Sequence, residues 1–427
     1  MQNEKRRMFA ATLGCKINQY ETQAIAEAWR GGGWESAESA AEADVILVNS
    51  CAVTAKAVAD LRKTVRRLNR ENPDAGIIVT GCAAQILREE LAELPGVVRV
   101  VPQEDKAELL RPHAASFSIS DYPRARAVVM VQDGCSHGCT YCIVPLTRGP
   151  SRSREPSEIL DEAEQLLDKG FHELILSGVN LRQFGRDLAP GPLGNALDFW
   201  DLLCLLEERL ARFAGRARLR LSSVEPGQLG DKALEVLGGS RLACPHLHLS
   251  LQAGDPEVLR RMGRGHYRAE QAEDFLEKLA ASWPIFGLGA DLLTGFPGET
   301  EAQFENTLDF CRRLPLSYAH VFPYSSRPGT PAARMKDKVP AEEKKRRAAL
   351  LRGLADEKKS AFLQRVAGLE RVDVLVQDTR GNGVCAQYAP CRFTRPGPGI
   401  VARKLVPARP VGVRRGVVLV EPLEGFD

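Results

Sequence analysis

The chain has no apolar run long enough to span a bilayer, and no apolar h-region follows its basic N-terminal residues. A secreted or membrane-spanning class is therefore not expected, no membrane partner is expected, and the expected location is the cytoplasm. An excess of charge of one sign is missing too. The 58 Lys and Arg against 55 Asp and Glu leave only +3 over 427 residues, so a nucleic-acid surface has to come from local clustering. Histidine is scarce, at 7 residues. What the chain does have is 11 cysteines, which in a cytosolic protein point to metal binding or catalysis before disulfides. The length predicts two or three domains.

Three N-terminal segments share one design. FAATLGC (Phe9 to Cys15), DVILVNSC (Asp44 to Cys51) and GIIVTGC (Gly76 to Cys82) are short β-prone runs, each ending at a cysteine. Helical patterns over Tyr20 to Arg30 and Ala55 to Asn69 separate them. Alternating strands and helices predict an open parallel sheet. The C-terminal strand ends of such a sheet share one edge, where ligands bind. Cys15, Cys51 and Cys82 would then converge. Three thiolates suit an iron–sulfur cluster with one open iron. A three-cysteine zinc site needs a fourth ligand, and no histidine lies in these motifs.

CSHGCTYC (Cys135 to Cys142) spaces Cys135, Cys139 and Cys142 as C-x3-C-x2-C on one loop after the strand AVVMVQDG. A cluster iron left open by three thiolates can be chelated by a ligand carrying an amino and a carboxylate group. Beyond the loop, strand patterns begin at Glu173, Arg218, His246, Phe286 and Tyr318, with helical patterns such as PSEILDEAEQLLDKG among them. This predicts all or most of a β/α barrel, with ligands at the strand C-termini. His246 and His248 alternate with apolar residues and read as packed barrel histidines. Cys204 and Cys311 read as core.

A charged helical pattern runs from Pro340 to Gly368, followed by short strands broken by Gly and Pro. These predict a small β-barrel. From Val366 to the end there are nine Lys or Arg and six Asp or Glu. Arg392, Phe393 and Tyr388 could there meet RNA through phosphate contacts and stacking. On the helix over Ala55 to Asn69, Lys56, Lys63, Arg67 and Arg70 share one face.

The C-x3-C-x2-C loop, with Tyr141 before its last cysteine, resembles the radical S-adenosylmethionine (SAM) superfamily. With TLGCKINQYE, VNSCAVT, TGCAAQ, CSHGCTYCIVPLTRG, GFPGET and FPYSSRPGTPAA, nearly the whole chain resembles its methylthiotransferase family. The resemblance implies an α/β protein in three parts: a parallel α/β cluster-binding domain (1–118), a radical SAM partial β/α barrel (124–364) and a TRAM-like RNA-binding β-barrel (366–427). It implies two [4Fe-4S] clusters, an auxiliary one on Cys15, Cys51 and Cys82 and a radical one on Cys135, Cys139 and Cys142. SAM contacts are implied at Ser177, Gly178 and Asn180, and at Ser223 and Glu225; Gln252 and Asp291 end later strands and can face the same cavity.

GCKINQYE looks like the branch acting on N6-threonylcarbamoyladenosine at position 37 of tRNA. The branches acting on isopentenyladenosine and on a ribosomal protein carry other residues after this cysteine. VNSCAVT departs from the threonylcarbamoyl branch, which more often has Thr on either side of its second cysteine, and this puts fine substrate fit in question. The expected partners are tRNA, a flavodoxin- or ferredoxin-like electron donor and a sulfur source. A carboxylate-bearing substrate needs a cation, and Arg148, in PLTRGPSRSR, is the first candidate, with Arg152 and Arg154 close behind. Two rival classes are a cobalamin-dependent radical SAM enzyme and a non-catalytic RNA-binding iron–sulfur protein. The three N-terminal cysteines argue against the first and the intact C-x3-C-x2-C against the second.

Overall fold

The cysteine-terminated runs form adjacent strands of one parallel sheet. In the computed structural model, which describes residues 6–190, 196–395, 397 and 399–423, the sheet order is Glu35–Ser36, Arg7–Thr12, Val45–Ser50, Gly76–Gly81 and Val97–Val101. Register runs straight through the three cysteine-terminated strands: Thr12 opposes Asn49, and Ser50 opposes Gly81. Ile46, Leu47 and Val48 are fully buried in the central strand, as befits a sheet covered on both faces. The helices Lys16–Gly31 and Ala55–Glu71 follow the first and second of the cysteine-terminated runs. Val58, Leu61, Val65 and Leu68 turn one stripe of the second helix into the core. Lys56, Lys63, Arg67 and Arg70 stay exposed.

Six further parallel segments form the expected partial barrel. Ala127–Asp133, Glu173–Gly178 and Arg218–Leu221 pair in one sheet. Ser223–Val224, His246–Gln252, Gly287–Thr294 and Tyr318–Pro323 pair in the next. Arg218–Leu221 and Ser223–Val224 are halves of one segment, and a parallel bridge from Leu219 to Ala243 continues the curvature. The helix Ala341–Ala367 leads to a closed five-stranded barrel of Val372–Val376, Asn382–Cys385, Pro390–Phe393, Val417–Pro422 and Leu405–Arg414. Closure removes the edges that short strands would otherwise leave unpaired. No helix among the described residues is long and apolar enough to cross a membrane.

By compactness the chain divides into two units, Met1–Ser120 with Asp133–Arg152 and Ser325–Ala333, and Asp121–Gln132 with Ser153–Tyr324 and Arg334–Asp427. The loop carrying Cys135, Cys139 and Cys142 therefore groups with the N-terminal sheet. The closed barrel groups with the β/α strands. The first five and last four residues of the expected outer domains lie outside the described residues.

Candidate functional site

Each N-terminal cysteine sits where its strand stops. Cys15 caps the helix Lys16–Gly31, Cys51 directly follows Val45–Ser50, and Cys82 opens the helix Cys82–Ile86 after Gly76–Gly81. Gly81 makes the last turn possible. Its φ is +96°, and a Cβ there would lie 2.4 Å from the Ser50 carbonyl oxygen. The thiols are near enough to act on one another's charge: Cys82 and Cys15 both act on Cys51, and Cys82 on Cys15. Burial pushes the Cys15 and Cys51 thiols up, and at Cys15 the nearby Arg148 works against it. Three crowded thiolates are costly unless a cation joins them, and binding of a metal reverses that balance. This donor set fits a thiolate-ligated cluster.

The second set lies on a loop pinned at both ends. At its base Gly134 has φ +69°, and a Cβ would lie 1.9 Å from the Pro150 carbonyl oxygen. The Cys135 N–H donates to the Gly149 carbonyl (3.0 Å) and the Ser151 N–H to Ser136 Oγ (3.0 Å). Farther along, the Ala332 N–H donates to the Thr140 carbonyl (2.8 Å). The His137 N–H points at Cys135 Sγ (3.4 Å). All three cysteines are half-buried. The helix Val144–Arg148 after this loop packs on the helix that begins at Cys82, so one compact unit holds both sets.

Arg148 has a different place from the one expected. Its side chain is 2% exposed, and its guanidinium donates to Glu21 (3.1 and 3.3 Å), Asp133 (2.6 Å) and Asn18 (2.9 Å). Lys106 reaches the same Glu21 carboxylate at 2.6 Å. Burial alone would push the Glu21 carboxyl up, but Arg148 and Lys106 hold it below the usual range. A guanidinium so fully engaged has no fork to offer a substrate carboxylate. Its work is structural: Asn18, which it holds, also accepts from Cys15 Sγ (3.1 Å) and donates to the Ser50 carbonyl (2.8 Å). Arg148→Lys keeps the charge but loses donors and is expected to cost about 1–3 kcal/mol, measured by denaturant unfolding of the cluster-free protein.

In the other unit, Ser177 and Gly178 end the strand Glu173–Gly178. The Asn180 N–H donates to Gln132 Oε1 (2.8 Å), and Asn180 Oδ1 accepts from the Arg182 N–H (3.2 Å). Ser223 and Glu225 follow at the next segment, but Glu225 is clasped by Arg264 (3.0 and 2.8 Å) and His266 (3.3 Å). Much of its capacity to meet ribose is thus already used. Gln252 ends its strand at a bulge with φ +65°. The sequence reading missed Gln132, fully buried behind the Gly178 turn. It also missed the clustering of Asp291 with His248 (3.1 Å) and His320 (3.2 Å). A hydrogen-bonding partner 29 or more residues away leaves no local pattern.

Two further expectations fail. Phe393 is buried in the closed barrel, and Tyr388 packs on His246, with ring centroids 4.4 Å apart, and lies under Arg220 at 4.8 Å. Neither forms an open stacking platform, because the small barrel and the β/α strands use these rings for their own packing. Arg392 alone of the three is exposed. Cys204 is exposed and not core; its helix, Phe199–Arg209, is apolar on more than the one face it buries.

Comparison with known proteins agrees with this architecture. Residues 7–102 match the family described as Uncharacterized protein family UPF0004, and residues 129–311 match the Radical SAM superfamily. The threonylcarbamoyladenosine tRNA methylthiotransferase MtaB of Bacillus subtilis (strain 168) is 38% identical over 368 residues, 81% of this chain and 79% of that protein. MtaB of Aquifex aeolicus (strain VF5) is 32% identical over 86% of this chain and 92% of its own. The tRNA-2-methylthio-N(6)-dimethylallyladenosine synthase of Carboxydothermus hydrogenoformans is 35% identical over 79% of this chain and 81% of its own. Among solved structures, the radical S-adenosylmethionine methyltransferase TsrM from Kitasatospora setae, with cobalamin and a [4Fe-4S] cluster bound, has a TM-score of 0.57 at 15% identity. It covers 77% of this chain and 74% of its own, a likeness of fold. Identity above 30% through most of both chains is the mark of common descent, and the chain belongs to the radical SAM tRNA methylthiotransferase family.

Proposed function

We propose that this enzyme adds a methylthio group to C2 of N6-threonylcarbamoyladenosine at position 37 of tRNA. The observation that carries the reading is the gathering of two cysteine triplets in one unit, one at the C-terminal edge of a parallel sheet and one on a pinned loop. Cys135, Cys139 and Cys142 would hold one [4Fe-4S] cluster, and Cys15, Cys51 and Cys82 the other. When bound, these groups supply one-electron cleavage of SAM and a carrier for sulfur, chemistry that an inert aromatic C–H requires and acid–base side chains lack.

The residues of the chain hold and orient. The Glu21–Arg148–Asn18 network fixes the turn carrying Cys15, and the Gly149 and Thr140 carbonyls fix the radical loop. Ser177, Gly178, Asn180 and Ser223 would meet SAM at strand C-termini. The three functional parts would be residues 1–118, 124–364 and 366–427, working in the cytoplasm with a flavodoxin- or ferredoxin-like reductant and a separate sulfur source. Acceptance of threonylcarbamoylated over isopentenylated tRNA follows the GCKINQYE motif and the MtaB relatives. The test supplies anaerobic, reconstituted enzyme with SAM, reductant and tRNA of either modification. The 2-methylthio nucleoside is expected by mass on threonylcarbamoylated tRNA; product on isopentenylated tRNA alone would reverse the branch assignment.

A further inference from the structure

With Arg148 committed to Glu21 and Asp133, the unit that holds the cysteines needs another cation for an anionic substrate. Arg327 meets the requirement. It lies in the segment Ser325–Ala333 of that unit and is only 7% exposed. Among the described residues its side chain has no hydrogen bond and no ion pair, and its buried Nε–H has no acceptor. Its backbone, in contrast, is fixed. The Thr330 N–H (3.2 Å) and hydroxyl (2.8 Å) both donate to the Arg327 carbonyl, and two residues farther on Ala332 is tied to the Thr140 carbonyl of the radical loop. Among the described residues Cys51 is the one ionisable group that acts on its charge, while burial works to lower its pKa.

A guanidinium in a residue only 7% exposed, with its Nε buried and no anion beside it, is partly desolvated at a cost, and a protein keeps one where an anion arrives during work. The planar fork of arginine matches a carboxylate or a phosphate with two parallel hydrogen bonds. We propose that Arg327 binds an oxyanion of the RNA substrate, either the carboxylate of the modified base or a backbone phosphate of the anticodon loop. The inference rests on the reading of the substrate as a modified adenosine in tRNA.

The test measures the affinity of reconstituted enzyme for a labelled anticodon stem-loop carrying N6-threonylcarbamoyladenosine or plain adenosine at position 37. Arg327→Met is expected to weaken binding of the modified stem-loop at least tenfold, with Arg327→Lys in between. Its Tm should be unchanged or raised, since no partner inside the chain is lost. Weakening confined to the modified RNA identifies the carboxylate, and equal weakening on both identifies a phosphate. Unchanged affinity for both RNAs overturns the proposal. So does a lowered Tm, or a shifted cluster midpoint potential, with affinity intact, either of which would make Arg327 structural or a counter-charge to the cluster. Product formation by the wild type is followed separately: weakened binding by the variant alongside an inactive wild type would sustain this inference and sink the functional reading.

Discussion

Enzyme in which Cys135, Cys139 and Cys142 are all alanine is expected to release no 5′-deoxyadenosine from SAM and to keep about half of the iron taken up by the wild type. The reciprocal variant, with Cys15, Cys51 and Cys82 replaced, should also keep about half the iron yet still cleave SAM, though without forming the methylthio product. The two sets differ in what surrounds them. The first is carried by a loop whose shape comes from backbone hydrogen bonds to Gly149 and from Ala332, so losing thiols there leaves the scaffold standing. In the second, Cys82 is buried in the sheet core and Cys15 bonds to Asn18, so single replacements are the safer controls for folding. Iron and acid-labile sulfide counts, with chromatography of the nucleoside, decide the matter. Full iron in the Cys15, Cys51 and Cys82 variant would refute an auxiliary cluster there.

The fold was legible in the sequence because its signals are periodic and local. Strand runs ending at Cys15, Cys51 and Cys82 describe a parallel sheet with a common edge, and six spaced strand patterns describe the β/α half-barrel. Even the helix Ala341–Ala367 falls within one residue of its charged pattern at either end. The site was legible only as far as side chains act close to home. Cysteine spacing marks a loop, but the engagement of Arg148 depends on Glu21 and Asn18, about 130 residues away. An arginine clamp and a buried structural arginine look alike until their acceptors are known. The same limit hid Arg327, whose distinction is what it does not bond. Tyr388 and Phe393 were misplaced for a related reason: an aromatic residue beside an arginine reads as an RNA surface unless burial is known.

The largest loss of stability from a single substitution is expected at Glu173. Its carboxylate is fully buried and takes Arg218 Nε at 2.6 Å and Arg220 Nε at 2.7 Å. The remaining donors of these arginines go to the closed barrel: Arg218 to the carbonyls of Asp373 (2.7 Å) and Val384 (2.9 Å), Arg220 to those of Ala386 (3.1 Å) and Cys385 (3.2 Å). Glu173→Ala would leave two buried guanidinium groups without their counter-charge, at a cost of about 3–5 kcal/mol, read as a shift in the denaturant midpoint.

Burial alone would push this carboxyl up, but Arg220 and Arg218 hold it well below the ordinary glutamate range. Its contribution is therefore complete above the unfolded value of about 4.3 and is lost only as pH falls through the lowered folded value, so the variant's deficit should be constant from pH 6 to 8 (roughly the range where the carboxyl stays ionised in both states). A deficit under 1 kcal/mol (about the worth of an exposed ion pair) would mean the network contributes no more than surface charge.

The same carbonyls make removal of Val366–Asp427 a poor test of RNA binding, because truncation would strip partners from Arg218 and Arg220 and uncover Phe362 and Leu363. Neutralising the exposed Arg392, Arg395, Arg414 and Arg415 leaves that interface intact. If the small barrel tracks the tRNA backbone, the slope of log affinity against log salt should flatten by about 0.7–0.9 for each phosphate contact removed, with the Tm unchanged. An unaltered slope would assign the barrel to holding the β/α strands together and leave phosphate contact to other surfaces, such as the exposed helix face of Lys56, Lys63 and Arg70.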